Sequence, residues 1–266
     1  MQRRTTRRAR LLAGAAIVVL LSGCASVDRR STASVASANK PIEQMTAVEL
    51  QTALPNYQRL YERNPDDKST AMAFASVLRM NGRNDQALAV MRKAAIQHPE
   101  DRVVLAAYGK ALASAGDFTA ALDAIQRAQD PTQPDWRLMS AEGAIYDQTG
   151  RSQQARARYQ RALQLRPNEP SVLSNLAMSH ILEGDLPTAE TYLRTAVDQP
   201  GADSRVRQNL AMVVGLQGRF QEARSIAQRE LSPEQAAANM EYLERMLSQQ
   251  NAWALIKQED RSAAAN

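Results

Sequence analysis

Apolar residues recur with helical spacing through most of the chain, in pairs of stretches of about 14 residues separated by a glycine. The glycines of these pairs stand 34 residues apart. They are Gly82, Gly116, Gly150, Gly184 and Gly218. A glycine closes a helix without strain where the backbone must become left-handed. The pattern therefore predicts an array of helix-turn-helix units.

Three further columns of small residues keep the same 34-residue spacing, which chance would hardly produce. The first runs Ala87, Ala121, Ala155, Ala189 and Ala223; the second runs Ala75, Gly109, Gly143, Ala177 and Ala211; the third runs Ala94, Ala128, Ala162 and Ala196. Small side chains at fixed positions indicate close approach of two helices. Glu142, Arg207 and Glu230 depart from the pattern, and we expect weaker packing in the third and fifth units.

The columns divide the chain into segments with definite bounds. Five units begin at 68, 102, 136, 170 and 204 and together span 68–237. Residues 46–67 read as an N-terminal helix or half repeat, 238–258 as a C-terminal capping helix and 259–266 as a tail. A final helix has a good start signal at Ser232-Pro233-Glu234-Gln235. Met240, Leu243, Leu247 and Trp253 would cover the apolar end of the last unit.

The N-terminus has the order of segments found in an export signal. Residues 1–10 contain five arginines and no acidic residue, and residues 11–21 are the apolar run LLAGAAIVVLL. This run is shorter than the roughly 20 residues that a membrane-spanning helix needs. We therefore interpret residues 1–23 as a signal peptide. Paired arginines also fit twin-arginine export, but Arg10 stands where that motif has an apolar residue, which favours the general secretion route.

Leu21-Ser22-Gly23-Cys24 resembles a lipobox, in which the cysteine becomes acylated and then N-terminal. The alternative is an ordinary signal peptide with a chance cysteine. Residues 24–45 would then be a lipidated cysteine, carrying chains such as palmitate, and a flexible Ser/Ala-rich tether. Ala25, rather than Asp, follows the cysteine, which by the sorting rule of enteric lipoproteins implies the periplasmic face of the outer membrane.

Removal of the signal arginines changes what the charge implies. The whole chain has 33 basic and 28 acidic residues, and all five signal arginines are lost with residues 1–23. The remaining chain is formally neutral and has no basic cluster after Arg30, so we expect no nucleic-acid binding. The single cysteine excludes an internal disulfide.

The sequence offers little for catalysis. There are two histidines, His98 and His180, and the repeat register places His180 in a column of packed residues. A metal site needs several ligands at short spacing, and no phosphate loop, nucleophile elbow or HExxH pattern occurs. We predict no catalytic residue, cofactor, metal or small-molecule substrate. A periplasmic enzyme is the alternative from another class.

The columns resemble the tetratricopeptide repeat, with a small residue in the first helix, an alanine in the second and prolines such as Pro99 and Pro167 at the end. The resemblance implies an all-α, right-handed superhelical solenoid that binds protein partners in a groove lined by the first helix of each unit. It places Met72, Ser76, Arg79, Lys110, Ser140 and Asp147 in groove columns of the first three units. The cationic clamp of chaperone-tail-binding relatives is not reproduced, because Met72 and Ser76 stand where Lys and Asn are expected.

The same groove columns are richer in the fourth and fifth units, where Asn175 and Asn209 each lie within the sequence NLAM. An amide can hydrogen-bond the backbone of an extended peptide. The predicted partner-binding residues are Asn175, Met178, Ile181, Leu182, Gln208, Asn209, Met212 and Leu216. Two readings stay open: these residues form a groove, or they brace and pack the repeats against one another.

The whole layout is similar to the TadD-type lipoprotein family of the tight-adherence (Flp, type IVb) pilus assembly system. The closing segment SPEQAAANMEYLERMLSQQNAWALIK is the most specific part of this resemblance. It implies a non-catalytic accessory that binds components of the pilus secretion apparatus, such as the outer-membrane secretin. The alternatives are a pilotin-like lipoprotein for another secretin and an adaptor for periplasmic cell-wall hydrolases.

The lipobox generates the first prediction. Changing Cys24→Ser removes the thiol that receives the lipid, so acylation is lost and the protein is left uncleaved or soluble. Metabolic labelling with a radioactive or alkyne fatty acid measures this directly. Label that persists on the variant would contradict the lipoprotein assignment.

Overall fold

A computed structural model describes residues 41–42 and 45–263, and the side chains as far as Gln249. The predicted signal peptide, Cys24 and nearly all of the tether lie outside the described residues. The described part is helical throughout, without a strand, and it forms a solenoid. Its helices are α1 (Ala47–Arg63), α2 (Lys68–Met80), α3 (Asn84–Gln97), α4 (Arg102–Ser114), α5 (Phe118–Ala128), α6 (Trp136–Gln148), α7 (Ser152–Leu165), α8 (Pro170–Leu182), α9 (Leu186–Val197), α10 (Ser204–Leu216), α11 (Phe220–Ala227) and α12 (Pro233–Ala263).

The helices from α2 to α11 form five pairs. We call α2, α4, α6, α8 and α10 the A helices and α3, α5, α7, α9 and α11 the B helices. Each A helix packs on its own B helix, and each B helix packs on the next A helix. Neighbouring A helices also contact each other, whereas successive B helices within the described residues make no comparable contact. The A helices therefore lie on the inner side of the curve.

Aspartate begins most A helices. Asp67, Asp101, Asp135 and Asp203 occupy the position before the helix, and each carboxylate accepts a backbone N–H of the first turn. This cap satisfies amide groups that have no partner within the helix and is worth about 1 kcal/mol. The caps fix where these four A helices start.

A left-handed glycine ends the A helices and allows the tight turn into the B helix. Gly150 has φ of 73°, and its N–H donates to the carbonyl of Asp147 at 3.0 Å. A Cβ added there would meet nothing within 4 Å, so any strain of substitution comes from the backbone rather than from a clash. The glycine column thus serves the turn, not the packing.

The small-residue columns serve the packing. The five alanines of the B-helix column, from Ala87 to Ala223, have no exposed surface. In the A helices, a Cβ on Gly143 would lie 2.5 Å from Cε1 of Tyr159, and one on Gly109 would lie 2.7 Å from Cγ1 of Ile125. No real Cβ is found so close to another carbon. The absence of a side chain on the A helix is what makes room for a large one on the B helix.

The three residues that depart from the repeat pattern all belong to ion pairs. Glu142 is only 3% exposed, and Nε of Arg158 on α7 lies 2.9 Å from its carboxylate. Burial raises the pKa of Glu142, and the charge of Arg158 opposes that rise. Arg207 and Glu230 pair with each other in the fifth unit. Each of the three residues therefore has an oppositely charged partner within its own unit.

Both ends of the array are covered. At the N-terminus, Leu50 and Leu54 of α1 are buried. At the C-terminus, α12 begins at Pro233, five residues before 238. The backbone N–H of Ser232 donates to the Gln235 side chain and that of Gln235 donates to the Ser232 hydroxyl, and this reciprocal cap starts the helix there. Met240 and Leu243 are buried against the last unit, and Leu247 is half-buried. Trp253 lies outside the described side chains.

The glycine turn generates the second prediction. Gly150→Val should lower the free energy of unfolding by about 1–3 kcal/mol, because a β-branched residue resists positive φ. Thermal or denaturant unfolding followed by circular dichroism measures the loss. Gly150→Asn is the matched control and should cost less, since asparagine enters the left-handed region more readily. Equal stability of wild type and the valine variant would contradict the left-handed turn.

Candidate protein-binding face

The candidate site is the inner surface formed by neighbouring A helices, which we call the A face. All eight residues predicted as partner-binding belong to α8 and α10 or the end of these helices. Because α8 and α10 are in contact, the fold brings the two sets of four residues together. Seven of the eight are half-buried, and Leu182 is 58% exposed.

The two asparagines make the same hydrogen bond one repeat apart. Nδ2 of Asn175 donates to Oγ of Ser140 on the preceding A helix at 3.1 Å, and Nδ2 of Asn209 donates to Oγ of Ser174 at 3.0 Å. Ser140 and Ser174 are themselves buried. The amides therefore brace one A helix against the next. Among the described residues neither amide oxygen accepts a hydrogen bond, so each side chain retains an acceptor.

The apolar residues divide between packing and surface. Ile181 lies against the core of the fourth and fifth units, whereas Leu182 is largely exposed at the end of α8. Met178 and Met212 occupy equivalent places on α8 and α10, and both are half-buried. Gln208 donates to Oγ of Ser204 on its own helix at 2.9 Å. The A face of these units is thus apolar, with amide groups beside the apolar patches.

Asp147 was predicted in a groove column, and the structure places it within a three-helix network instead. The Tyr159 hydroxyl donates to one carboxylate oxygen at 2.9 Å, and the Ser179 hydroxyl donates to the other at 2.8 Å. Burial raises the pKa of Asp147, and these hydrogen bonds oppose the rise. Asp147 therefore joins α6 to α7 and α8. Its signal in the sequence is an acidic residue in a column that otherwise holds Arg79, Ala113, Ile181 and Gly215.

A second network, around Glu190 of α9, was missed by sequence reasoning. Its carboxylate accepts from Arg194, Arg219 and Gln217, and Nε2 of Gln217 lies at 2.7 Å. Burial acts to raise the pKa of Glu190, but the three hydrogen bonds bring it down to about 2. The network joins the fourth unit to the fifth. No spacing rule relates residues 27 and 29 positions apart, so no sequence pattern predicts this network.

His180 lies beside a carboxylate and an aromatic ring. Nδ1 of His180 lies 3.0 Å from Oδ2 of Asp185, and its ring lies 5.6 Å from that of Tyr192.

Within the described residues, no three His, Cys, Asp or Glu side chains stand close enough to hold a metal ion. No helix in that part of the chain is long and apolar enough to cross a membrane.

Comparison of the sequence with family models identifies the class of protein. Models of the tetratricopeptide repeat match residues 49–102, 72–135 and 148–213, which together make up more than half of the chain. The chain belongs to the tetratricopeptide repeat family, whose members are typically non-catalytic scaffolds that bind other proteins. No sequence among curated proteins matches it.

Solved structures share the fold. PilW, a widely conserved type IV pilus biogenesis factor, is 19% identical, with 75% of this chain and 94% of PilW covered and a TM-score of 0.57. Cut9 in the APC/C Cut9–Hcn1 hetero-tetramer is 17% identical, with coverages of 72% and 38% and the same TM-score. Pseudomonas aeruginosa PilF is 21% identical, with coverages of 66% and 81% and a TM-score of 0.48. At identities below 25%, the matches with a TM-score of 0.57 show the fold alone.

The asparagine–serine bonds generate the third prediction. Changing Asn175→Ala together with Asn209→Ala removes two interhelical hydrogen bonds and should lower the free energy of unfolding by about 1–3 kcal/mol. Thermal unfolding measures the loss. The matched control removes the acceptors with Ser140→Ala and Ser174→Ala.

Combining all four changes should cost clearly less than the sum of the two double variants, because both delete the same bonds. A melting temperature unchanged by the asparagine variant would show that the amides do not brace the repeats. In that case, loss of partner binding by the same variant would support the groove reading of these two residues.

Proposed function

We propose that this chain is a lipid-anchored, non-catalytic scaffold that binds protein partners during assembly of a Flp/Tad pilus. The lipid would be attached at Cys24, which would hold the repeats at the periplasmic face of the outer membrane. The partners would be components of the pilus secretion apparatus, such as the secretin. The protein would need no cofactor, metal or small-molecule substrate, and it would not bind nucleic acid.

The single observation that carries the binding role is the A face of α8 and α10. It presents half-buried Met178 and Met212 in register, an exposed Leu182 and two amides with an acceptor to spare. Partly exposed apolar groups beside hydrogen-bonding groups suit a peptide segment, whose side chains bury apolar surface and whose backbone donates N–H groups. The rigid stacking of the A helices would hold such a surface in place before a partner arrives.

Support for the pilus role comes from two directions. The closing segment resembles TadD-type lipoproteins, and that resemblance motivates the choice of the Flp/Tad system. PilW has the same fold over nearly its whole length and acts in type IV pilus biogenesis. The fold by itself does not select a partner, because the match to the APC/C Cut9–Hcn1 complex has the same TM-score as the match to PilW and belongs to a different assembly.

The fourth prediction tests the role with a surface substitution. Leu182→Glu places a charge on the A face at a position where little apolar burial is lost. Crosslinking in the intact periplasm, followed by mass spectrometry, should capture a pilus secretion component with wild type. The capture should fall by roughly tenfold or more with the variant, as expected when a contact in an interface is replaced by an unpaired charge.

Ile96→Glu is the matched control, because Ile96 is 74% exposed on a B helix and therefore lies away from the A face. Its capture should equal that of wild type. Capture of cell-wall hydrolases in place of pilus components would contradict the pilus role. Equal loss with both variants would contradict binding by the A face.

A further inference from the structure

The junction between the second and third units is packed less completely than the other junctions of the array. A hollow of about 200 Å³ lies between α4, α5 and α6. Among neighbouring A helices, α4 and α6 have the least contact with each other, and α5 contacts α6 less extensively than α3, α7 or α9 contact the A helix that follows. Helix interfaces are normally filled, so this junction is held by fewer dispersion contacts.

Small side chains on the A helices leave the hollow open. Its wall on α6 contains Ala141 and Ala144. The same two columns hold asparagine and methionine in the fourth and fifth units, where each asparagine amide donates to a serine of the preceding A helix. Ala106 stands in the column of that serine on α4. Neither this hydrogen bond nor the methionine packing can therefore form between α4 and α6.

The two later junctions are closed by further side-chain bonds. Between the third and fourth units, the Ser179 hydroxyl donates to Asp147 at 2.8 Å, and a guanidinium nitrogen of Arg156 lies 2.7 Å from the carboxylate of Glu183. Between the fourth and fifth units, Glu190 accepts hydrogen bonds from two residues of the fifth unit. The third, fourth and fifth units are thus bonded to one another in sequence.

The segment that connects α5 to α6 is long, and its two ends are tied together. α5 has 11 residues where α3 and α7 have 14, and residues 129–135 follow it outside any helix. The Gln129 side chain accepts the backbone N–H of Asp135 at 3.2 Å and donates to the carbonyl of the same residue at 3.4 Å. Asp130 pairs with Arg102 of α4. These bonds hold the end of α5 beside the start of α6, at the edge of the array opposite the glycine turns.

We propose that the junction between the second and third units is a bending joint, about which helices α1–α5 rotate as one block against helices α6–α12. The Gln129–Asp135 tie is the pivot, and the hollow between α4 and α6 narrows or widens as the blocks rotate. Protein hinges are a few residues in loops or at the ends of elements, and residues 129–135 are in that position. Bending here changes the curvature of the A face while the bonds within the later units stay intact. The inference does not depend on the proposed function.

The fifth prediction compares distances between spin labels at matched positions. Asp85, Gln153 and Gln221 are exposed, and each is the second residue of a B helix, 68 residues from the next. They lie at the edge with the glycine turns, where rotation about the pivot moves the chain furthest. Labels at 85 and 153 span the proposed joint, whereas labels at 153 and 221 span only the two bonded junctions.

Double electron–electron resonance on the full chain measures both distances. The distribution for the first pair should be at least about twice as wide as that for the second, because freezing preserves the arrangements that a hinge motion explores. Each label pair, Asp85→Cys with Gln153→Cys or Gln153→Cys with Gln221→Cys, is made together with Cys24→Ser. The labelled thiols are then the only ones in the chain.

A variant that copies the later junctions tests the cause of the motion. Ala106→Ser with Ala141→Asn supplies the interhelical hydrogen bond, and Ala144→Met fills the hollow. The triple variant should narrow the 85–153 distribution to the width of the 153–221 distribution. Ala157→Met is the matched control, because Ala157 is exposed on α7, and it should leave the distribution unchanged. Circular dichroism establishes folding, and Ala144→Met alone should give a smaller narrowing if the triple variant does not fold.

Three outcomes would overturn the proposal. Equal widths for the two pairs would show that the first three units are as rigid as the last three. A wide distribution that the filled variants leave unchanged would place the motion at another junction. Equal narrowing by Ala157→Met would show that the hollow is not its cause. No partner is present in these measurements, so a rigid junction would leave the proposed function standing, and loss of periplasmic capture by Leu182→Glu says nothing about the joint.

Discussion

The close approach of the two helices in every repeat is the constraint on which the rest of the structure depends. At Gly109 and Gly143 a single Cβ would lie 2.7 Å and 2.5 Å, respectively, from a side-chain carbon of the B helix in the same repeat. The alanines of the B-helix column, from Ala87 to Ala223, are fully buried. Interiors packed this tightly cannot absorb even one methyl group without displacement. The small residues that meet this condition recur every 34 residues along the chain.

This packing also decides which surface is left for partners. An A helix contacts its own B helix, the preceding B helix and the neighbouring A helices. Its remaining face therefore forms a continuous inner surface whose side chains the packing does not specify. Along that surface one column changes from alanine at 73, 107 and 141 to asparagine at 175 and 209, and another changes from Ser76, Lys110 and Ala144 to methionine at 178 and 212. One scaffold thus carries different side chains on its inner surface at its two ends.

The sequence was sufficient for the fold because its information lies in columns of small residues and glycines, which act through backbone geometry. Less of the candidate site could be predicted from the sequence, because the site depends on which side chains meet across repeats. Nothing in the spacing shows that Asn175 donates to Ser140 or that Arg207 pairs with Glu230. Asp147 was placed correctly on an A helix, but its two hydroxyl partners lie on the next two helices and turn it inward. Cys24 lies outside the described residues, so its acylation stays a prediction.

The central claim is that partners bind to the A helices. Amide hydrogen exchange of the full chain, with and without the captured partner, tests it most directly, because slowed exchange marks the segments that binding stabilises. The account predicts slower amide exchange in α8 and α10 when the partner is bound, and little change of exchange in α7, α9 and α11. Protection confined to the B helices or to α12, with the A helices unaffected, would contradict it.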